Sequence, residues 1–245
     1  MIARRAEELA PFMVMEVLER AREMERQGED IIHLEVGEPD FDVPSPVKKA
    51  TCRALEEGAT HYTHSLGDIQ LREAICEHYL DDYGAEIRPE QVVVTSGTSP
   101  AMMLAFASLL ERGEEVIVSD PGYACYPNFI KFLGGVPTRV PVYEQDGFRL
   151  RVEAIRERIS YNTKAILINS PSNPTGCLIS EEDMKAIAGL SPYIISDEIY
   201  HGLVYEGQEH SILEFTDRAF VLNGFSKLYA MTGYRLGYLI APPRF

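Results

Sequence analysis

Five short polar segments of this chain hold residue types that could do chemistry, and each follows an apolar run: Ser96-Gly97-Thr98-Ser99, Asp120-Pro121-Gly122-Tyr123, Asn169-Ser-Pro-Ser-Asn173-Pro-Thr-Gly176, Asp197-Glu-Ile-Tyr200 and Gly224-Phe-Ser-Lys227. In the first, backbone N–H groups, hydroxyls and the positive end of a following helix converge on a point suited to phosphate. The same residues could simply cap that helix through Thr98 or Ser99. Arg235 follows Lys227 by eight positions, and an arginine fork can clasp a phosphate bidentately. Taken singly, Lys227 and Arg235 read as surface residues. In company they read differently, because Lys227 follows the apolar strand ending at Asn223-Gly224 among few other charges. A lysine desolvated there has a depressed pKa and a nucleophilic amine. Asp197 ends the run Tyr193-Ile-Ile-Ser, and a buried aspartate needs a cation or an N–H donor opposite it. A protonated heterocyclic nitrogen would serve, and so would the first turn of a helix. Tyr200 could present a phenol to the same place or belong to the core. Asn173 could offer an amide or form a plain turn.

Such segments need a rigid frame. Strand patterns fall at 91–95, 115–119, 136–142, 164–169, 193–197, 219–223 and 236–241, with helical patterns at 99–111, 124–133, 151–159 and 180–189. That alternation predicts an α/β fold, a mostly parallel sheet with helices on both faces. In such sheets ligands bind beyond the carboxyl ends of the strands, where the polar segments lie. Upstream, Met13, Val17, Leu18, Ala21 and Met24 predict an amphipathic helix over 13–27. The apolar run Ile31 to Val36, the Gly37-Glu-Pro-Asp40 turn and a helix over 46–57, capped by Ser45 with Pro46 at its first position, complete an opening arm.

Composition narrows the partners. Lys and Arg total 23 against 38 Asp and Glu, a formal charge of -15, which repels nucleic-acid backbones and anionic membranes. The longest apolar stretch, about Ala101 to Leu110, falls well short of the roughly 20 residues that span a bilayer. Arg4 and Arg5 are followed by Glu7 and Glu8 rather than by a secretory apolar core. Cys52, Cys76, Cys125 and Cys177 are scattered, so a reducing, cytoplasmic setting is expected. His61 and His64 lack companions for a metal site. Ser45-Pro-Val-Lys48 fits a β-lactamase-type SxxK without its companion motifs, and Leu228 stands where a hydrolase elbow needs its second glycine.

Asn173-Pro-Thr-Gly176, Asp197-Glu-Ile-Tyr200, Asn223-Gly-Phe-Ser-Lys227 and Gly233-Tyr-Arg235-Leu-Gly237, in that order and spacing, closely resemble the class I/II aminotransferases of fold type I. The resemblance covers essentially the whole chain. It implies pyridoxal 5′-phosphate as cofactor, an amino acid and a 2-oxo acid as substrates, and a homodimer. Carried over, it implies that Lys227 bonds the cofactor covalently and later shuttles a proton, and that Asp197 keeps the pyridine nitrogen protonated. Asn173 and Tyr200 would hydrogen-bond the 3-oxygen, and Tyr123 would stack on the ring. Thr98, Ser99, Ser226 and Arg235 would hold the phosphate. Tyr62, in His61-Tyr-Thr-His-Ser-Leu-Gly67, would reach the partner subunit's phosphate. Gly37 would lie beside the substrate, as would Asn173.

Two departures stand out. Gly224 occupies a position where many relatives have serine, so one phosphate hydrogen bond is expected to be absent or supplied elsewhere. The chain stops at Phe245, whereas the family continues through most of a small domain and the arginine for the substrate α-carboxylate. Residues 1–43 are therefore expected to form the arm and a small-domain contribution, and 44–245 a large domain cut short. The resulting expectation is an aminotransferase; the alternatives are a pyridoxal-phosphate-dependent C–S β-lyase and a cofactor-binding fragment without turnover.

Overall fold

A computed structural model describes residues 2–7 and 9–245; Met1, Glu8 and the side chains of Arg4 and Arg5 lie outside the described residues. The elements in order are α1 (Arg4–Glu7), α2 (Met13–Arg26), α3 (Ser45–Glu56), α4 (Ile69–Tyr83), β1 (Val92–Thr95), α5 (Thr98–Leu109), β2 (Glu115–Asp120), α6 (Tyr126–Phe132), β3 (Val136–Pro141), α7 (Val152–Arg156), β4 (Thr163–Asn169), α8 (Glu181–Ala188), β5 (Tyr193–Asp197), β6 (Ala219–Gly224) and β7 (Gly237–Ile240). The seven strands form one sheet in the order β1-β7-β6-β5-β4-β2-β3. The pairs from β3 through β6 are parallel, and β7 runs antiparallel to both β6 and β1.

Alternation along the strands divides the core into two layers. Val116, Val118, Ala165, Leu167, Ile195, Phe220 and Leu222 pack against α5 and α6. Ile117, Ile166, Ile168, Ile194, Ala219 and Val221 pack on the other face with α4, α7 and α8. Strand β5 is buried along its whole length, which is why both faces of its sequence are apolar. Fully burying one such side chain contributes roughly 1.5–3 kcal/mol, so the sheet is a stiff platform for the loops at its ends.

Register sets those loops side by side. Asn169 pairs with Asp197, Asp197 with Leu222, and Gly224 with Gly237. The carboxyl ends of β4, β5 and β6 thus form one rim.

Several boundaries differ from the sequence expectation. Helix α3 starts at Ser45, with Pro44 at the cap. The Pro44 carbonyl accepts from the N–H groups of Val47 and Lys48 at 3.0 and 3.2 Å, so Ser45 lies inside the first turn and does not cap it. Helix α7 closes after Arg156 because the N–H groups of Arg158 and Ile159 bond carbonyls three residues back, at 3.0 and 3.2 Å, tightening the turn. Helix α6 begins at Tyr126, with Pro127 in its first turn. Helix α4 was not anticipated, although Asp68 caps it by accepting from the Gln70 N–H at 2.8 Å and Gly84 closes it in the left-handed conformation. Only Ala21 of α2 is buried, and in the following segment Ile32 and Leu34 are 84% and 89% exposed. No helix among the described residues is long and apolar enough to cross a membrane.

Candidate active site

A cleft of about 1030 Å³ opens at the rim made by β4, β5 and β6, and its lining includes Gly37, Thr98, Tyr123, Asn173, Asp197, Tyr200 and Lys227. Segments far apart in sequence thus bring seven of the expected site residues into one space.

Lys227 reaches the cleft from the turn after β6. Its Nζ donates to the Gly37 carbonyl and lies 5.9 Å from the centre of the Tyr200 ring. Burial lowers the pKa of its amine; Glu38 opposes that shift and Arg235 adds to it. The expectation of few charges near Lys227 therefore needs correcting, since Glu38 arrives from the arm, fastened by the Thr232 hydroxyl, and Arg235 from the loop before β7.

Asp197 lies at the end of β5 and is 4% exposed. Its Oδ2 accepts from the Tyr126 hydroxyl at 2.8 Å and its Oδ1 from the Ile199 N–H at 3.2 Å. Burial pushes its carboxyl up to about 6 despite these two donors. It forms no ion pair among the described residues. No helix follows Asp197 directly, so it does not act as a helix cap; its Oδ1 bond closes a turn, and one N–H and one phenol leave the charge without a cation. Asn169 donates to the Asp197 carbonyl at 2.8 Å and accepts from the Asn173 N–H at 2.7 Å, tying the β4 loop to the β5 loop. The Asn173 amide donates to the Tyr200 oxygen at 3.2 Å, which leaves the Tyr200 hydroxyl proton free to donate. Burial raises the pKa of that phenol, and the Asn173 bond opposes the shift.

The amino end of α5 opens at a glycine turn beside Arg235. Gly97 occupies its cap position at φ 91° and ψ 177°, and no side chain caps the helix, so neither Thr98 nor Ser99 plays the capping role. A Cβ at Gly97 would collide with the Arg235 guanidinium; the arginine lies directly over this turn, its Nη1 donating to the Thr232 carbonyl at 2.9 Å. At Gly224 a Cβ would stand 2.9 Å from the Gly237 Cα, too close for a side chain without movement. Ser99 follows Thr98 in the first turn, and Ser226 is buried beside Lys227 in sequence; neither of them, nor Arg235, lines the cleft.

Tyr123 lines the cleft and meets Phe12 and Tyr126 edge-on, with ring centres 6.1 and 5.2 Å apart. Tyr62 does not reach this cleft; its side chain is wholly exposed. Sequence reasoning missed Tyr126, Glu38, Asn169 and the arm residues Phe12, Val14 and Met15, which also line or support the site. Asn169 carried the same signal as Asp197, a polar residue ending an apolar strand. The others had none, because they meet the site only through tertiary packing. No group of three or more His, Cys, Asp or Glu able to hold a metal occurs among the described residues.

The profile described as aminotransferase class I and II matches residues 29–245. The chain belongs to this family. The aminotransferase chain is 45% identical over 244 residues to the (5-formylfuran-3-yl)methyl phosphate transaminase of Methanocaldococcus jannaschii, covering 98% of this chain and 64% of that protein. It is 44% identical to an aspartate aminotransferase of Pyrococcus horikoshii, covering 94% and 59%. A solved structure of Thermus thermophilus aspartate aminotransferase with maleate superposes with a TM-score of 0.96 at 39% identity, over 99% of this chain and 65% of that one. The chain spans about 64% of the length of the curated relatives it matches. The family is pyridoxal-phosphate-dependent, and the site fits that cofactor: an uncapped helix end and an arginine meet at a glycine turn, and a buried carboxyl without a cation faces the same cleft as a desolvated lysine.

Proposed function

We propose that the chain is the cofactor-binding part of an aminotransferase that moves an amino group between an amino acid and a 2-oxo acid. The observation that carries this reading is the convergence on one cleft of Lys227, with its pKa lowered by burial, and Asp197, buried without a cationic partner among the described residues. Bound there, pyridoxal 5′-phosphate would supply an electron sink for the charge left when a proton departs the substrate α-carbon. Lys227 would anchor the cofactor and, once released as a neutral amine, accept that proton and hand it on. Asp197, oriented by Tyr126 and the Ile199 N–H, would hold a proton on the ring nitrogen. Tyr200 would donate to the 3-oxygen, with Asn173 alongside it. Tyr123 would cover one ring face, and Thr98, Ser99, Ser226 and Arg235 would bind the phosphate.

In this reading, residues 1–43 form an arm whose Phe12 and Gly37 close the cleft, and 44–245 form the large domain. Tyr62, Ile32, Leu34 and Phe41 are exposed, which supports a homodimer with Tyr62 reaching the partner's phosphate site. Four free cysteines accord with a reducing cytoplasm.

The relatives' names favour amino transfer over β-elimination. The second reading, cofactor binding without turnover, draws on the chain's 64% share of its relatives. The test is to add one amino acid, without acceptor, to the cofactor-loaded chain. Stoichiometric pyridoxamine phosphate and 2-oxo acid support transfer. An unchanged cofactor spectrum overturns it in favour of the second reading, and pyruvate release from a cysteine conjugate overturns it in favour of the lyase.

A further inference from the structure

Behind the sheet from Asp197 lies a second buried carboxylate. Glu198 follows Asp197 directly and is 0% exposed, but it points to the opposite layer, towards α4. Its Oε1 accepts from the Ser196 hydroxyl at 2.9 Å, the Ser211 hydroxyl at 3.1 Å and the Ile212 N–H at 3.1 Å, and its Oε2 from the Tyr79 hydroxyl at 3.2 Å. The Tyr79 oxygen in turn accepts from the Asn223 amide at 3.4 Å, four residues before Lys227. The titratable groups around the carboxylate are His201 on its own segment, Tyr79 and Tyr83 from α4, and Tyr238 from β7, with His210 and Glu214 beyond Ser211 and Asp197 on the other side of the sheet. No lysine or arginine pairs with it among the described residues. His201 does not neutralise it, although its Nδ1 lies 3.8 Å away. Nδ1 accepts the Tyr83 hydroxyl at 2.8 Å while Nε2 donates to the Ser170 carbonyl at 3.0 Å, so both ring nitrogens are occupied in the neutral form, which burial also favours.

We propose that Glu198 is a positioning residue acting through Asp197, a buried anion held by four donors and no cation, whose charge strengthens the grip of Asp197 on a protonated ring nitrogen in the cleft. The inference rests on the cofactor reading above. An amide of the same shape could accept the same three donors at Oε1 and would lose only the Tyr79 bond at Oε2, so the contacts with Ser196, Ser211 and Ile212 do not by themselves call for a charge. Here the negative potential of the second carboxylate falls on the first across the thickness of one strand, in a medium of low dielectric.

The test uses Glu198→Gln, which keeps shape and acceptor; the Tyr79 hydroxyl can turn to Tyr238, with which it also hydrogen-bonds. Dissociation constants are measured for pyridoxal 5′-phosphate and for its 1-deaza analogue, which has CH in place of the ring nitrogen. Burial pushes the Glu198 carboxyl up to about 7, so the measurement belongs at about pH 8.5, where the charge is developed. The preference for the natural cofactor over the analogue is expected to fall about fivefold, the effect of one unit charge at a mid-range effective dielectric. A purely structural role would weaken both ligands alike, and an unchanged preference overturns the proposal. Should Glu198→Gln not fold, Tyr79→Phe removes one donor and weakens the anion, and the same preference should fall by a smaller factor; no fall overturns the proposal. If the wild-type chain itself fails to prefer the natural cofactor, the cofactor reading fails instead.

Discussion

Replacing Gly97 with alanine separates the phosphate end of the site from the ring end. Gly97 sits at φ 91° and ψ 177°, a region essentially confined to glycine, so the new side chain costs about 1–3 kcal/mol of backbone strain. At roughly 2–4 °C per kcal/mol for a chain of this size, the melting temperature should drop by about 2–12 °C. The new Cβ also collides with the Arg235 guanidinium and must push it off the amino end of α5. Losing one hydrogen bond to a charged group is worth about 1.5–3 kcal/mol, or roughly 10- to 150-fold in affinity. Titration of the cofactor-free protein with pyridoxal 5′-phosphate, followed by absorbance, measures that loss. Pyridoxal, which lacks the phosphate, should bind the variant and the wild type equally. Equal loss for both ligands, or for neither, would refute the assignment of this turn to phosphate.

Two further outcomes follow from the groups around Asp197. Its folded-state carboxyl, at about 6, is raised above the unfolded value near 4, so the cofactor-free folded state keeps a proton that the unfolded chain has released. That stabilisation is lost as pH rises from about 4 through 6. The melting temperature of Asp197→Asn relative to wild type should therefore increase between about pH 5 and pH 8; calorimetry showing a flat or falling difference would contradict the raised pKa. Tyr126→Phe removes the 2.8 Å donor to Oδ2 and should weaken cofactor binding roughly tenfold by isothermal titration calorimetry. Unchanged affinity would mean that Asp197 needs no help to hold its orientation.

The frame was legible in sequence wherever burial leaves a simple mark. Strands such as Thr163–Asn169 and Tyr193–Asp197 are buried on both faces and read as continuous apolar runs, each stopped by the polar residue that the rim uses. Helix α4 shows how that reading fails. Arg72, Ile75 and Tyr79 are buried among charged neighbours, so its apolar stripe is thin and its caps at Asp68 and Gly84 are its clearest signal. At the site, Lys227, Asp197, Tyr200 and Asn173 stood out because each closes or follows a strand. Tyr126 and Glu38 left no such mark, since one lies on a helix that happens to face Asp197 and the other on the arm that folds over Lys227. Glu198 is hidden in the sequence for a similar reason: only the path of the chain just beyond β5 determines that two adjacent acids point to opposite layers.

The most direct measurement is to load the chain with pyridoxal 5′-phosphate, reduce it with borohydride, digest it and map the pyridoxyl label by mass spectrometry. The label should be confined to the peptide carrying Lys227 and should vanish in Lys227→Ala. A label on any other lysine, or cofactor bound tightly with none, would contradict the placement of the reactive amine in the cleft shared with Asp197.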